Sequence, residues 1–387
     1  MDLTFTDEQD AFRAQAREWL LANAEHAPTC SFDTREGFEL HRAWERRLFD
    51  GGWGVVPWPV EYGGRGADLI EWLIFEEEYY RAGCPYRVAQ NGLFLLAPTL
   101  MEYGTPEQKQ RFLRPMASGE EIWAQGWSEP GAGSDMAAIR ARAVRDSDDW
   151  VISGQKTWST RAAFADWMFG IFRTDPDSSR HHGLSFIFVP LDAEGVDVRP
   201  IRQLNGEPGF AEVFLDEVRV PVAQHTLAEP GQGWQVAMAT AGFERGVSLR
   251  SPGRFNAASR RLVTLAMAQG DSVSPALVRE VTRSWARTQA YDLFTYRTVA
   301  HVLAGGDVGP EASVNKIFWS EMDRSLNETA LALLGPRAAL GPGAPDAEAD
   351  GDWMDRFLFS LSGPIYAGTN EIQRNIIAER VLGLPRG

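Results

Sequence analysis

The chain has 387 residues, 44% hydrophobic and 24% charged, with 53 acidic against 38 basic side chains and a formal net charge of −15. That size suits two or three soluble domains with a large core, and the acidic balance excludes an extended nucleic-acid footprint or docking on an anionic membrane surface. No run of about eighteen apolar residues is present to span a membrane, two cysteines are too few for a disulfide framework, and six histidines show no metal-ligand spacing. The N-terminus has no basic stretch followed by an apolar one, so the expected location is the cytoplasm. Lysine occurs only at 109, 156 and 316, against 35 arginines, which reads as a coding preference for Arg.

The first third reads as helical. Thr6-x-x-Gln9 and Thr105-Pro106-Glu107-Gln108 are capping boxes, and 39–49 and 71–81 carry apolar residues at helical spacing. Trp58 to Gly64 breaks that pattern as a loop. From Ile122 the texture becomes strand-like: a hairpin turns at 146–149, and short β-rich runs cover 166–173, 184–189 and 211–220. After Gly233 the chain is helical again, with Trp234, Met238, Ala241 and Arg245 on one face, and further helices over 274–303, 311–334 and 370–382. Asn370 reads as the cap of the last one, and 342–351 as an acidic, Pro/Gly-rich loop. The expected domains are 1–121 (helical), 122–229 (β) and 230–387 (helical).

The run Ser128-Glu129-Pro130-Gly131-Ala132-Gly133-Ser134-Asp135 places small residues between hydroxyls. Its backbone N–H groups suit close approach to an anionic or carbonyl-rich ligand, although an ordinary Gly-rich turn has the same composition. Together with the preceding 122–127, it resembles the flavin-binding signature of the acyl-CoA dehydrogenase family. Segments Pro59 to Gly64, Tyr103 to Lys109, Gly154-Gln155-Lys156-Thr157-Trp158-Ser159-Thr160 and 365–374 resemble that family's other motifs, in the same order. The resemblance implies an α+β multidomain fold: an N-terminal helical bundle, a middle β-barrel or sandwich and a C-terminal four-helix bundle.

It also implies FAD held by Gln125, Trp127, Ser128, Gly133, Ser134, Trp158, Ser159, Thr160, Gly368, Thr369 and Glu371, with Ser134, Arg245 and Tyr366 facing an acyl-CoA. Trp158 is expected to cover the flank of the isoalloxazine and keep water from it. Removal of an α-proton next to a thioester needs a desolvated carboxylate. In the family's largest branch that carboxylate precedes the C-terminal Gly-Thr, where this chain has Ala367. A second branch carries it on the helix before a central arginine, and Gly242-Phe243-Glu244-Arg245-Gly246 matches that pattern, making Glu244 the expected base. Ala367 keeps a backbone N–H that could polarise the thioester carbonyl.

Two departures bear on the partners. No Arg-x-x-Phe-Gly motif lies between Gly270 and Arg283, and the usual Gln-x-x-Gly-Gly has become Ala330-Leu331-Ala332-Leu333-Leu334-Gly335-Pro336. The resemblance therefore leaves three readings. The chain is a working dehydrogenase passing electrons to an electron-transfer flavoprotein, or a non-catalytic subunit completing a paralogue's flavin site, or a related flavin oxidase or monooxygenase. Assembly with itself or a paralogous subunit is expected in the first two.

Overall fold

The structure is a computed structural model and describes residues 4–245, 250–306, 308–310 and 312–385, with only the backbone of Glu244 and Arg245. Helices α1 (Asp7–Asn23), α2 (Arg35–Asp50) and α3 (Leu69–Arg81) come first, then a π-helix over Asn91–Leu96 that runs into α4 (Ala97–Tyr103), then α5 (Pro106–Ala117). The strands are β1 (Trp123–Gly126), β2 (Arg142–Asp146), β3 (Asp149–Thr160), β4 (Trp167–Arg173), β5 (Leu184–Pro190), β6 (Val196–Ile201) and β7 (Phe210–Pro221). A short α6 (Val222–His225) leads to β8 (Thr226–Leu227). The chain ends in α7 (Gly233–Arg245), α8 (Pro252–Gln269), α9 (Pro275–Leu303), α10 (Ala312–Leu334), α11 (Asp352–Ser360) and α12 (Asn370–Ile376). Helical N- and C-terminal parts with a mixed sheet between them in sequence are the expected fold class.

Both expected capping boxes form: Gln9 N donates to Thr6 Oγ1 at 3.3 Å and Gln108 N to Thr105 Oγ1 at 3.2 Å. Asp68 and Glu71 make a third at the start of α3. The loop expected over Trp58 to Gly64 holds one 3-10 turn, Val60–Tyr62. Several elements were not foreseen, three of them substantial. Strand β6 is an edge strand with charges and a proline, α8 opens on Pro252 and Gly253, and α11 follows the 342–351 loop. The cap of α12 is Thr369, whose hydroxyl accepts from Ile372 N at 3.2 Å, and not Asn370, which is buried in the first turn.

The chain divides into two compact units, each interrupted in sequence. One comprises Glu25–Ala67 and Pro85–Glu244. Its eight strands run in the order β6-β7-β3-β2-β4-β5-β8, with β1 pairing parallel to β4. Trp150, Ile152, Phe172, Ile187 and Val213 alternate inward to form its apolar centre. Gln108 donates its side-chain amide to the carbonyls of Gln224 and Thr226, so one residue caps α5 and ties it to β8. Among the described residues of α7 the buried side chains are Val236, Ala237 and Thr240; the Trp234–Met238–Ala241 stripe is only half-buried, with Trp234 against the His181 ring. Apolar spacing alone cannot distinguish two adjacent helix faces when both carry small or apolar residues.

The other unit comprises Met1–Ala24, Asp68–Cys84 and Arg245–Gly387. Leu262, Leu326, Ala330 and Trp353 form one apolar cluster, and Phe255, Tyr291, Trp319 and Met322 another. Helix α8 lies directly on α3 because Gly253 has no side chain: a Cβ there would come within 2.7 Å of the Glu76 carbonyl oxygen. Ser251 Oγ donates to Glu76 Oε2 at 2.8 Å, and Arg13 reaches Glu77 and Glu78 at 2.8 and 2.9 Å.

Candidate active site

In the sheet-containing unit the two flavin-motif segments are adjacent. Strand β1 delivers Gln125 and, just beyond its end, Trp127 and Ser128; the second half of β3 delivers Trp158, Ser159 and Thr160. Thr157 N donates to the Ser128 carbonyl at 2.9 Å, joining the segments by backbone. A paired exchange between Glu129 and Ala132, 3.0 Å in each direction, closes the turn at Pro130-Gly131.

Beneath that turn lies a buried ion pair that sequence reasoning did not single out. Lys156 Nζ is 2.9 Å from Glu129 Oε1 and donates to the Ile171 carbonyl at 2.8 Å, while the Glu129 carboxylate accepts from the backbone of Arg140 (2.7 Å) and Ala141 (2.9 Å). Desolvation pulls the Lys156 ammonium below the usual lysine range, and Glu129 opposes that shift. Both residues stand inside the motifs quoted above. The overlooked signal was a lysine retained in a chain otherwise furnished with arginine.

Strand β3 carries one extra residue between the pairs Lys156↔Val213 and Ser159↔Ala211, a β-bulge. The bulge puts Trp158 at φ +59°, a left-handed conformation that costs a non-glycine residue about 1–2 kcal/mol, with its ring 59% exposed. The ring meets Phe210 edge-on, with centroids 6.1 Å apart, and most of its surface is left uncovered. Beside it the Ser159 hydroxyl is buried without a hydrogen-bond partner among the described residues, as is the Trp127 indole N–H. Gly131 and Gly133 have ordinary φ, and nothing lies within 4 Å of where a Cβ would stand. Neither local conformation nor packing demands glycine there, so the bare backbone of that exposed loop, with Ser134, is left open to a ligand. Hydroxyls, an amide at Gln125, open backbone N–H groups and an outward indole together suit a flavin with its pyrophosphate. The far end of β3 is fixed by Arg161, which meets Asp33 at 2.8 Å.

In the helical unit the C-terminal motif forms a tight turn ahead of α12. Ala367 (φ +56°) and Gly368 (φ +74°) are both left-handed. Gln373 Nε2 donates to their carbonyls at 3.0 and 3.3 Å, while the Ala367 N–H has no acceptor among the described residues. Tyr366 is half-buried against Trp319 and Phe359, with the Arg250 guanidinium 5.3 Å from its ring centre. Glu371 is exposed and paired with Arg374 at 3.1 Å. Glu244 and Arg245 end α7, where the chain passes from one unit to the other, and their side chains lie outside the described residues. The Gly270–Ser272 segment is a 3-10 turn, and α10 ends through Gly335 in another, so both departures noted in the sequence sit at helix ends. No helix is long and apolar enough to cross a membrane, and no cluster of metal-ligating side chains occurs, among the described residues.

Residues 6–120, 124–218 and 231–382 match the models of the acyl-CoA dehydrogenase N-terminal, middle and C-terminal domains. The chain belongs to the acyl-CoA dehydrogenase family, oxidoreductases that work with a flavin. Within it, the chain is 43% identical to the acyl-CoA dehydrogenase IpdE1 of Mycobacterium tuberculosis, over 97% of this chain and 98% of that protein. It is 42% identical to IpdE1 of Mycolicibacterium smegmatis, over 98% of each. Among solved structures, the Tcur3481-Tcur3483 steroid acyl-CoA dehydrogenase superposes with a TM-score of 0.87 at 30% identity, covering 100% of both chains. The ChsE4-ChsE5 complex of Mycobacterium tuberculosis gives 0.85 at 31%, again covering 100% of both.

Proposed function

We propose that this chain is an FAD-dependent acyl-CoA dehydrogenase that introduces a double bond between the α- and β-carbons of an acyl thioester. The observation that carries it is Ala367: a left-handed alanine whose carbonyl is tied to Gln373 and whose N–H has no acceptor among the described residues. Such an amide, held before any ligand arrives, is the donor that a thioester carbonyl needs as negative charge develops on it.

Glu244 takes the α-proton, with Arg245 beside it and Tyr366 and Ser134 bordering the acyl-CoA. FAD, when bound, supplies the acceptor for the β-hydride at its N5 atom. In the sheet-containing unit Gln125, Trp127, Ser128, Gly133, Ser134, Ser159 and Thr160 would hold it and Trp158 would shield it from water; Gly368, Thr369 and Glu371 are the flavin residues proposed for the helical unit. Electrons leave through an electron-transfer flavoprotein in the cytoplasm. The acyl group is bulky and steroid-derived, a reading supported by the likeness to the solved steroid acyl-CoA dehydrogenase.

A second reading has one specific observation behind it. The position before Gly368 is alanine, so the C-terminal motif supplies no carboxylate at that place, as in a subunit that completes a partner's site. Purifying the chain alone and with a paralogous subunit, then adding steroid-derived and fatty acyl-CoAs without oxygen, separates the two. Flavin bleaching by the chain that falls by about 10²- to 10⁴-fold in Glu244→Gln supports the dehydrogenase. A chain that is colourless alone and gains flavin only with the paralogous subunit, the pair's bleaching being indifferent to Glu244→Gln, supports the completing subunit.

A further inference from the structure

Two of the three lysines in this arginine-rich chain are buried: Lys156, paired with Glu129, and Lys316, 1% exposed on α10. Lys316 Nζ donates to the side-chain oxygen of Asn370 at 2.8 Å, and Ser320, one turn further along α10, donates to the same oxygen at 3.2 Å. The other end of that side chain, Asn370 Nδ2, donates to Glu321 at 2.9 Å, and its backbone N–H donates to the Pro364 carbonyl at 2.8 Å. Asn370 is therefore clamped to α10 while closing the turn that contains Ala367. Gln373 grips the carbonyls of Ala367 and Gly368 from the other side. A left-handed alanine persists only where its surroundings over-determine it, and these two side chains do so.

We propose that Lys316 is a positioning residue for the dehydrogenation, holding the 364–369 turn through Asn370 so that the Ala367 amide stays aimed at the thioester carbonyl. The site calls for lysine in particular. A compact ammonium shares one amide oxygen with a serine hydroxyl, where the planar fork of a guanidinium needs a wider, flatter partner. Lys316 is one of only three lysines in a chain with 35 arginines. Lys316 acts through Asn370 and the turn, resting on the reading of Ala367 as the carbonyl donor.

The test uses the full chain, flavin-loaded, as wild type, Lys316→Met, Lys316→Arg and Ser320→Ala. Amide hydrogen exchange over 361–376 is followed without substrate, and kcat and KM are measured with an acyl-CoA that the wild type oxidises. Lys316→Met is expected to speed exchange in 364–369 selectively and to lower kcat roughly 10- to 100-fold with KM within about threefold, because the donor acts on charge present in the transition state. Lys316→Arg should not restore kcat, and Ser320→Ala should move both readouts the same way by a smaller factor. Unchanged exchange at 364–369 overturns the proposal, as does faster exchange across the whole helical unit with unaltered kcat, which is a merely structural role. Should Lys316→Met not fold, Ser320→Ala decides by the same two readouts. A wild type that oxidises no acyl-CoA refutes the dehydrogenase reading, while exchange still scores the hold of Lys316 on the turn.

Discussion

Lys156 Nζ lies 2.9 Å from Glu129 Oε1, and neither side chain is open to solvent. The pair joins β3 to the Gly-rich loop after β1, the two segments that carry most of the proposed flavin contacts. Lys156→Met leaves the Glu129 carboxylate buried with only backbone donors, a change that typically costs about 3–5 kcal/mol. Denaturant unfolding of the flavin-free protein should show that loss, and flavin content after dialysis should fall with it. Lys156→Met combined with Glu129→Gln should be less destabilised than Lys156→Met alone, because no unpaired charge remains.

How much of this was legible beforehand depended on distance along the chain. The capping boxes at Thr6 and Thr105 were readable because a capping box is a four-residue pattern. The cap of α12 was misplaced by one residue because Asn370 and Gln373 have the right spacing but other partners: Asn370 is drawn to Lys316, 54 positions away. Strand β6 escaped notice because it is short and Pro200 cuts its alternation, Val196-Asp197-Val198-Arg199, after four residues. The Glu129–Lys156 pair and the strain at Trp158 both arise from β-register, which motif matching identifies by residue but not by cause.

Trp158 separates a packing role from a cofactor role. Its ring is mostly exposed and its backbone is left-handed, so Trp158→Gly loses little packing and relieves strain. Greater freedom of glycine in the unfolded chain offsets that relief by about 0.5–1 kcal/mol. Stability should therefore stay within about 1 kcal/mol of the wild type, whereas a core tryptophan would cost several-fold more. Flavin should dissociate faster, and the reduced flavin should reoxidise faster in air, both measurable by absorbance.

Asp292 on α9 gives the helical unit a pH dependence. Burial, and secondly the Glu77 carboxylate, push its carboxyl up to about 6, against the hydrogen bond from Asn256 and the charge of Arg260. The native state thus holds this proton more tightly than the unfolded chain does. Its contribution is present below the ordinary carboxylate range and is lost as pH rises through about 6. Between about pH 4.5 and 7 the wild type should lose on the order of 2 kcal/mol relative to Asp292→Asn. Parallel urea titrations of both proteins across that range would show it, and parallel curves would contradict it.

Helix α9 also offers a prediction about assembly. Val278 and Trp285, each 50% exposed, are seven residues apart and so lie on one line along the helix, with Leu293 further along the same side. A tryptophan exposed within such a row is a common mark of a protein–protein interface. Assembly with a second copy or a paralogous subunit, as the family resemblance implies, would cover it. Trp285→Glu removes no core contact, so the melting temperature of the dissociated chain should hardly move, while sedimentation velocity should show a smaller species. Co-expression with a paralogous subunit distinguishes the partners: if the wild type forms a mixed complex and Trp285→Glu does not, this face of α9 receives the paralogue. An unchanged mass in every combination would place the interface elsewhere.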